Sequence, residues 1–311
     1  MAEALAFLLA GQGAQHAGMF DALQNQPEAE PVFAAASALL GGTDPRDLVR
    51  APAADLQQNR PAQILCCTAI AASWAILSPR ITQPYTLAGY SLGDLATWHC
   101  AGLLNAPTLL QLAAARAEAM DDVGRQSPGG LIAVLGLRRS AIDEVCREHK
   151  AEVAIINGED HFVLGCRSDL LASLVEALEQ ARAAVVRPLP VSVASHTSLL
   201  QPATPAFHQR LAAVSMPEIV PNTVRLLSGL DGESVFKTAP GQAKLAAAIS
   251  HTIDWAACLD ACGEAGATTI LELGPGRALA TMAREAIPEA RIRSFDDFRT
   301  LDGVSAWLEA E

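Results

Sequence analysis

Charge is scarce in this chain. Of its 311 residues 18% are charged, against about 25% in an average globular protein. The 22 Lys and Arg are outnumbered by 34 Asp and Glu, which leaves a formal net charge of −12. Neither a basic stripe nor a basic tail is present, which argues against a partner such as nucleic acid or an anionic membrane. Aromatic residues are few as well, at 5%, so Ala and Leu supply the apolar bulk. No uninterrupted apolar run approaches the roughly 18 to 20 residues that span a bilayer. The longest, 66–77, is broken by Thr68 and Ser73 and is expected to be a buried helix. The first ten residues lack a basic flank, carry Glu3 and run straight into Gly11-Gln12-Gly13, so a first strand is expected rather than a secretion signal. That glycine loop has no following Gly-Lys-Ser/Thr and does not suit a nucleotide phosphate. The seven cysteines are odd in number and show no CxxC spacing. They are expected to be reduced thiols of a cytoplasmic protein. Cys258 and Cys262 are four apart, but no His cluster joins them, so no metal site is expected.

What the chain does have is apolar bulk and a regular alternation of elements. Half of its residues are hydrophobic, enough for a sizeable core, and the length suggests about two domains. Short apolar runs at 5–9 and 86–89 read as buried strands, and 92–101 and 108–120 take helical spacing. From Gly129 the texture changes to strand, helix, strand, strand, helix, strand over about 60 residues, the ferredoxin-like order. Ser127-Pro128-Gly129 and the pair Pro188 and Pro190 flank it. The expected fold is therefore α/β: a large α/β-hydrolase-like domain with a parallel sheet (1–126 and 194–311) and an inserted ferredoxin-like subdomain (127–193).

Gly89-Tyr90-Ser91-Leu92-Gly93 is the main chemical signal. It is G-x-S-x-G between a predicted strand and a predicted helix, the setting in which a serine occupies a tight, strained turn with its hydroxyl raised above a sheet. The positive end of the following helix lies beside that hydroxyl. Such a serine needs a base. His196 follows the small subdomain where the chain returns to the main one, and a domain junction is a common place for a cleft. His251 is its rival, because Asp231 precedes it and completes the Ser91, Asp231, His251 order of a serine esterase or thioesterase.

Taken together, the motifs resemble the malonyl-CoA:acyl-carrier-protein transacylase family over essentially the whole chain. They are Gly11-Gln12-Gly13-Ala14-Gln15, Gly89-Tyr90-Ser91-Leu92-Gly93-Asp94, Arg116 with Met120 four residues on, Ser195-His196, and Leu273-Gly274-Pro275-Gly276. The resemblance implies ping-pong transfer by a Ser91–His196 dyad. It also implies an oxyanion hole from the backbone N–H groups of Gln12 and Leu92, and a guanidinium at Arg116 for the malonyl carboxylate. No bound cofactor is implied. Malonyl-CoA would be the substrate, and an acyl-carrier protein with a phosphopantetheine-type arm the partner.

Departures from the family pattern sharpen the resemblance. Tyr90 and Asp94 stand where the fatty-acid enzymes usually have His and Glu, and Ala10 where they commonly have Pro. Asp254 replaces a Gln before the late Trp255, in a segment the family uses to orient its histidine through a main-chain carbonyl. A carboxylate there is expected to raise the pKa of His196. Gly-Tyr-Ser and the short length are more similar to the transacylase (epsilon) subunit of bacterial malonate decarboxylase, whose partners are the other subunits of that complex. An acidic carrier would need a local basic patch, expected at Arg277, Arg284, Arg291 and Arg293 or at Arg138 and Arg139.

Overall fold

The computed structural model describes residues 4–52 and 55–310. Its frame is a parallel sheet of five strands: β1 (Ala4–Leu9), β2 (Tyr85–Gly89), β7 (Val224–Leu226), β9 (Ala267–Leu273) and β10 (Arg291–Ser294). Their order is β10-β9-β1-β2-β7, with every pair parallel. A strand covered on both faces reads as a continuous apolar run rather than an alternation, as Ala-Leu-Ala-Phe-Leu-Leu of β1 does. Its side chains divide between two cores. Leu5, Phe7 and Leu9 join the larger one, with helices on one face of the sheet, and Ala6 and Leu8 join the one on the other face with Trp255 and Leu279. Each fully buried Leu or Phe here contributes about 1.5 to 3 kcal/mol.

The second sheet contains β3 (Gly129–Leu135), β4 (Glu152–Ile156), β5 (His161–Arg167) and β6 (Val185–Pro188), with helices Arg139–His149 and Leu171–Gln180 between them. The spatial order β6-β3-β5-β4 is antiparallel throughout and realises the ferredoxin-like succession. Ile132 and Val134 face a separate core with Ile142 and Leu174, while Leu131 and Val163 face the main body. One addition was not foreseen from the sequence. β8 (Ile253–Asp254), far along the chain, joins the outer side of β4 in parallel, Ile155 opposite Ile253 and Ile156 opposite Asp254. Two residues are too short to show any period. β10 was also missed, because Arg-Ile-Arg-Ser reads as a charged loop.

Two long helices pack side by side and place the remaining site residues. The helix Asn59–Leu77 is buried over most of its length, and its apolar stretch is longer than the sequence run suggests. By length and composition 59–80 is sufficient to cross a membrane, yet 78% of its apolar 18-residue window is buried inside the fold. Its partner is Ala106–Gln126, capped by Asn105, whose side chain accepts from the Thr108 amide, with Pro107 in the first turn. It runs six residues past the end expected from periodicity.

Candidate active site

The turn after β2 is dictated by space. A Cβ on Gly89 would lie 2.2 Å from the Asp94 amide nitrogen, and one on Gly93 would lie 1.9 Å from the Leu9 carbonyl. Only glycine lets strand and helix approach this closely. Between them Ser91 is held at φ +55°, ψ −109°, a backbone strain that recurs where a side chain must be aimed. The helix Leu92–Cys100 begins at the next residue, so the positive end of its dipole lies beside the serine.

Ser91 Oγ and His196 Nε2 are 2.7 Å apart. His196 itself is 1% exposed and sits at φ +64°. Its backbone N–H donates to the Ile249 carbonyl at 2.7 Å, and its Nδ1 lies against the Ala248 carbonyl. A carbonyl can only accept, so Nδ1 carries the proton and Nε2 is left free to accept from the serine hydroxyl. Burial, with the Arg116 charge second, pushes the His196 pKa down to about 3, against a smaller upward pull from Ala248. The imidazole is therefore a neutral acceptor at ordinary pH.

Two expectations about this base need correction. The orienting carbonyl belongs to Ala248 and not to the segment at Asp254. Asp254 instead caps the helix Trp255–Glu264, accepting from the Ala257 amide at 3.0 Å. Nor is the His196 pKa raised by a neighbouring carboxylate; it falls. The rival pair is not assembled either. His251 is exposed and bonded to the Ala247 carbonyl at 3.0 Å, and Asp231 is ion-paired with Lys244 at 2.6 Å.

Arg116 projects from the middle of Ala106–Gln126 and is 3% exposed. Its Nη1 donates to Gln63 Oε1 at 3.0 Å, and among the described residues it has no carboxylate within ion-pair distance. Burial pulls its pKa down to about 10, with the Cys67 and Asp94 side chains opposing, so it remains a cation. A buried charge with a single neutral partner is costly. Asp94, also 3% exposed, has its carboxyl pushed up to about 7 by burial, with the Gly229 amide and Arg116 pulling the other way. Tyr90 packs edge-to-face on Trp255, ring centroids 5.4 Å apart.

The loop after β1 passes against this turn. A Cβ on Gly11 would meet the Tyr90 carbonyl at 2.9 Å and Ser91 Cβ at 3.6 Å, so the Gln12 backbone follows close beside the serine. The Gln12 side-chain Oε1 is buried with no hydrogen-bond partner among the described residues. Sequence reasoning missed Gln63 and the Ala248 carbonyl. Gln63 carries a faint signal, since with Asn59 it places two amides four residues apart in an otherwise apolar helix. The Ala248 carbonyl carries none.

The acyl transferase domain family matches residues 6–267. The chain belongs to the acyl transferase domain family. Among the relatives of this acyl transferase is the malonyl CoA-acyl carrier protein transacylase of Salmonella typhimurium, 27% identical over 91% of this chain and 92% of that protein. Among solved structures, the malonyl CoA-acyl carrier protein transacylase of Coxiella burnetii superposes with a TM-score of 0.90 at 25% identity. It covers 99% of this chain and 97% of that one. An acyl carrier protein S-malonyltransferase from Vibrio cholerae gives a TM-score of 0.87 at 26% identity, covering 96% and 99%.

Proposed function

We propose that this acyl transferase moves a malonyl group from malonyl-CoA, through an ester on Ser91, to the thiol of an acyl-carrier protein. The observation that carries the reading is a hydrogen-bonded Ser91–His196 pair whose imidazole feels the charge of a buried, carboxylate-free Arg116. His196 Nε2 takes the hydroxyl proton as Ser91 Oγ attacks the thioester carbonyl carbon. The resulting oxyanion accepts from the Gln12 and Leu92 backbone N–H groups, each worth about 10²-fold or more in rate. When the C–S bond breaks, the CoA thiolate takes the proton back from His196. The carrier thiol then repeats the sequence in reverse and leaves Ser91 free. Arg116 pairs its planar fork with the distal malonyl carboxylate, an interaction that acetyl cannot make.

For the acceptor we favour the carrier subunit of a malonate decarboxylase over a fatty-acid or polyketide carrier. Tyr90 supports this preference, as the residue before the nucleophile. Intact-mass and peptide analysis after mixing with malonyl-CoA tests the chemistry. A malonyl adduct on Ser91, absent from Ser91→Ala, is expected, and no adduct or one elsewhere overturns it. Offering the decarboxylase carrier and an ordinary phosphopantetheine carrier side by side tests the acceptor; faster transfer to the ordinary carrier overturns that part.

A further inference from the structure

Arg116 is held by an amide, and that amide is itself held. The order starts at Asp121, whose carboxylate accepts from Asn59 Nδ2 at 2.8 Å, with the Ala117 carbonyl accepting from the same nitrogen at 3.3 Å. This turns Asn59 Oδ1 the other way, toward Gln63 Nε2 at 2.8 Å. Met120 Sδ, 3.5 Å from the same nitrogen, is a second weak acceptor for it. Gln63 is thereby left with only its carbonyl facing Arg116, 3.0 Å from Nη1. Asn59 is oriented by a carboxylate and a carbonyl that accept and cannot donate, and Gln63 by the Asn59 oxygen on one side and a guanidinium that only donates on the other, so flipping either amide sets donor against donor.

The chemistry at the end of this chain is selective. Glu has the length and shape of Gln, so position 63 could present a carboxylate to the guanidinium with little change in packing. It presents a neutral oxygen instead. Cys67, one turn further along the same helix, is also neutral, since burial pushes its thiol up to about 12. Asp94 is felt by Arg116 but lies beyond ion-pair distance.

We propose that the Asn59–Gln63 relay is a specificity-determining support that fixes the guanidinium of Arg116 through an uncharged acceptor and so keeps its charge available for a substrate carboxylate. This rests on Arg116 binding the malonyl carboxylate. An internal carboxylate would form the pair first and leave the incoming anion only a neutralised site.

The test uses the full chain with malonyl-CoA and acetyl-CoA as competing donors and a phosphopantetheinylated carrier as acceptor. The readout is the malonyl-to-acetyl ratio of kcat/KM. Gln63→Glu is expected to lower that ratio about 10- to 100-fold, the range for a hydrogen bond to a charged group. Gln63→Met and Asn59→Leu, which loosen Arg116 without neutralising it, are expected to lower it less and to act mainly on KM for malonyl-CoA. An unchanged ratio in Gln63→Glu overturns the proposal, as does equal loss of both acyl groups, which would be structural damage. A ratio in Gln63→Met at or below that of Gln63→Glu overturns the charge argument. Arg116→Met separates the two levels. If it loses both acyl groups equally, the carboxylate role of Arg116 fails; if it loses malonyl selectively while Gln63→Glu does not, only the relay fails.

Discussion

Arg116 and the arginines near the C-terminus use the same side chain in opposite circumstances. Arg277, Arg284 and Arg293 gather around one carboxylate, Asp297, at 2.5, 3.8 and 4.0 Å. Arg293 also lies over the Phe298 ring at 3.9 Å, and Arg291 donates to the Trp307 carbonyl at 2.9 Å. Arg291 ties the last strand to the last helix, and the other three fasten the strand and the helix before it to the turn at Asp297, spending part of their charge locally. The basic patch expected for a carrier is thus partly neutralised from within, and at the alternative position Arg139 pairs with Asp143 at 2.7 Å. Arg116 is buried and, among the described residues, has no carboxylate partner. Paired arginines on a surface can hold structure together, whereas a buried one without a counter-ion carries a desolvation cost that the proposed binding of a carboxylate would offset.

The contrast predicts effects of opposite sign. Arg116→Met should cut malonyl transfer by about 30-fold or more, the cost of removing one partner of a buried charge pair. At the same time it should raise the melting temperature. The desolvation cost disappears, though the gain is reduced by leaving Gln63 Oε1 without a donor. A melting temperature that falls would show that Arg116 stabilises the fold and would end the contrast.

A second effect concerns the base. A protonated His196 cannot accept from Ser91, so acetyl transfer should fall only as pH drops toward about 3. In Arg116→Met the neighbouring positive charge is gone, protonation is easier, and the acid limb of kcat/KM should move to higher pH. A limb that stays in place would mean that burial alone sets this pKa.

Asp297→Ala should behave in the opposite way. It removes the partner of three arginines and one half of the capping box with Ser294, so thermal unfolding should show a loss of about 1 to 2 kcal/mol with transfer chemistry intact. Smallest of all, His251→Ala should change transfer by no more than about twofold, as for an ordinary surface substitution. A large loss there would return the esterase arrangement to contention.

Much of this was legible because sterics leave marks in sequence. Gly89 and Gly93 are required by backbone contacts, so the turn at Ser91 announces itself, and the two-sided burial of β1 leaves an unbroken apolar run. The ferredoxin-like succession showed through the length and order of its runs. His196 was harder, since only its position after the subdomain and its place in the family pattern singled it out. The Ala248 carbonyl could not be read at all, because every residue has a carbonyl and only the path of the chain selects this one. Asp254 drew attention as a carboxylate at an expected position, and the fold uses it to begin a helix. Gln63 and Asn59 were visible as polar letters, but their meaning depends on which helix lies alongside.

The stretch 248–254 also has a mechanical consequence. At one end the Ala248 and Ile249 carbonyls hold His196, and a few residues later Ile253 and Asp254 are laced onto β4 of the second sheet. Ser91, by contrast, hangs from the end of β2 in the parallel sheet. Ser91 and His196 are thus held from different sheets. The 2.7 Å contact between Ser91 Oγ and His196 Nε2 therefore bridges the two sheets, and its length is set by the packing that joins them.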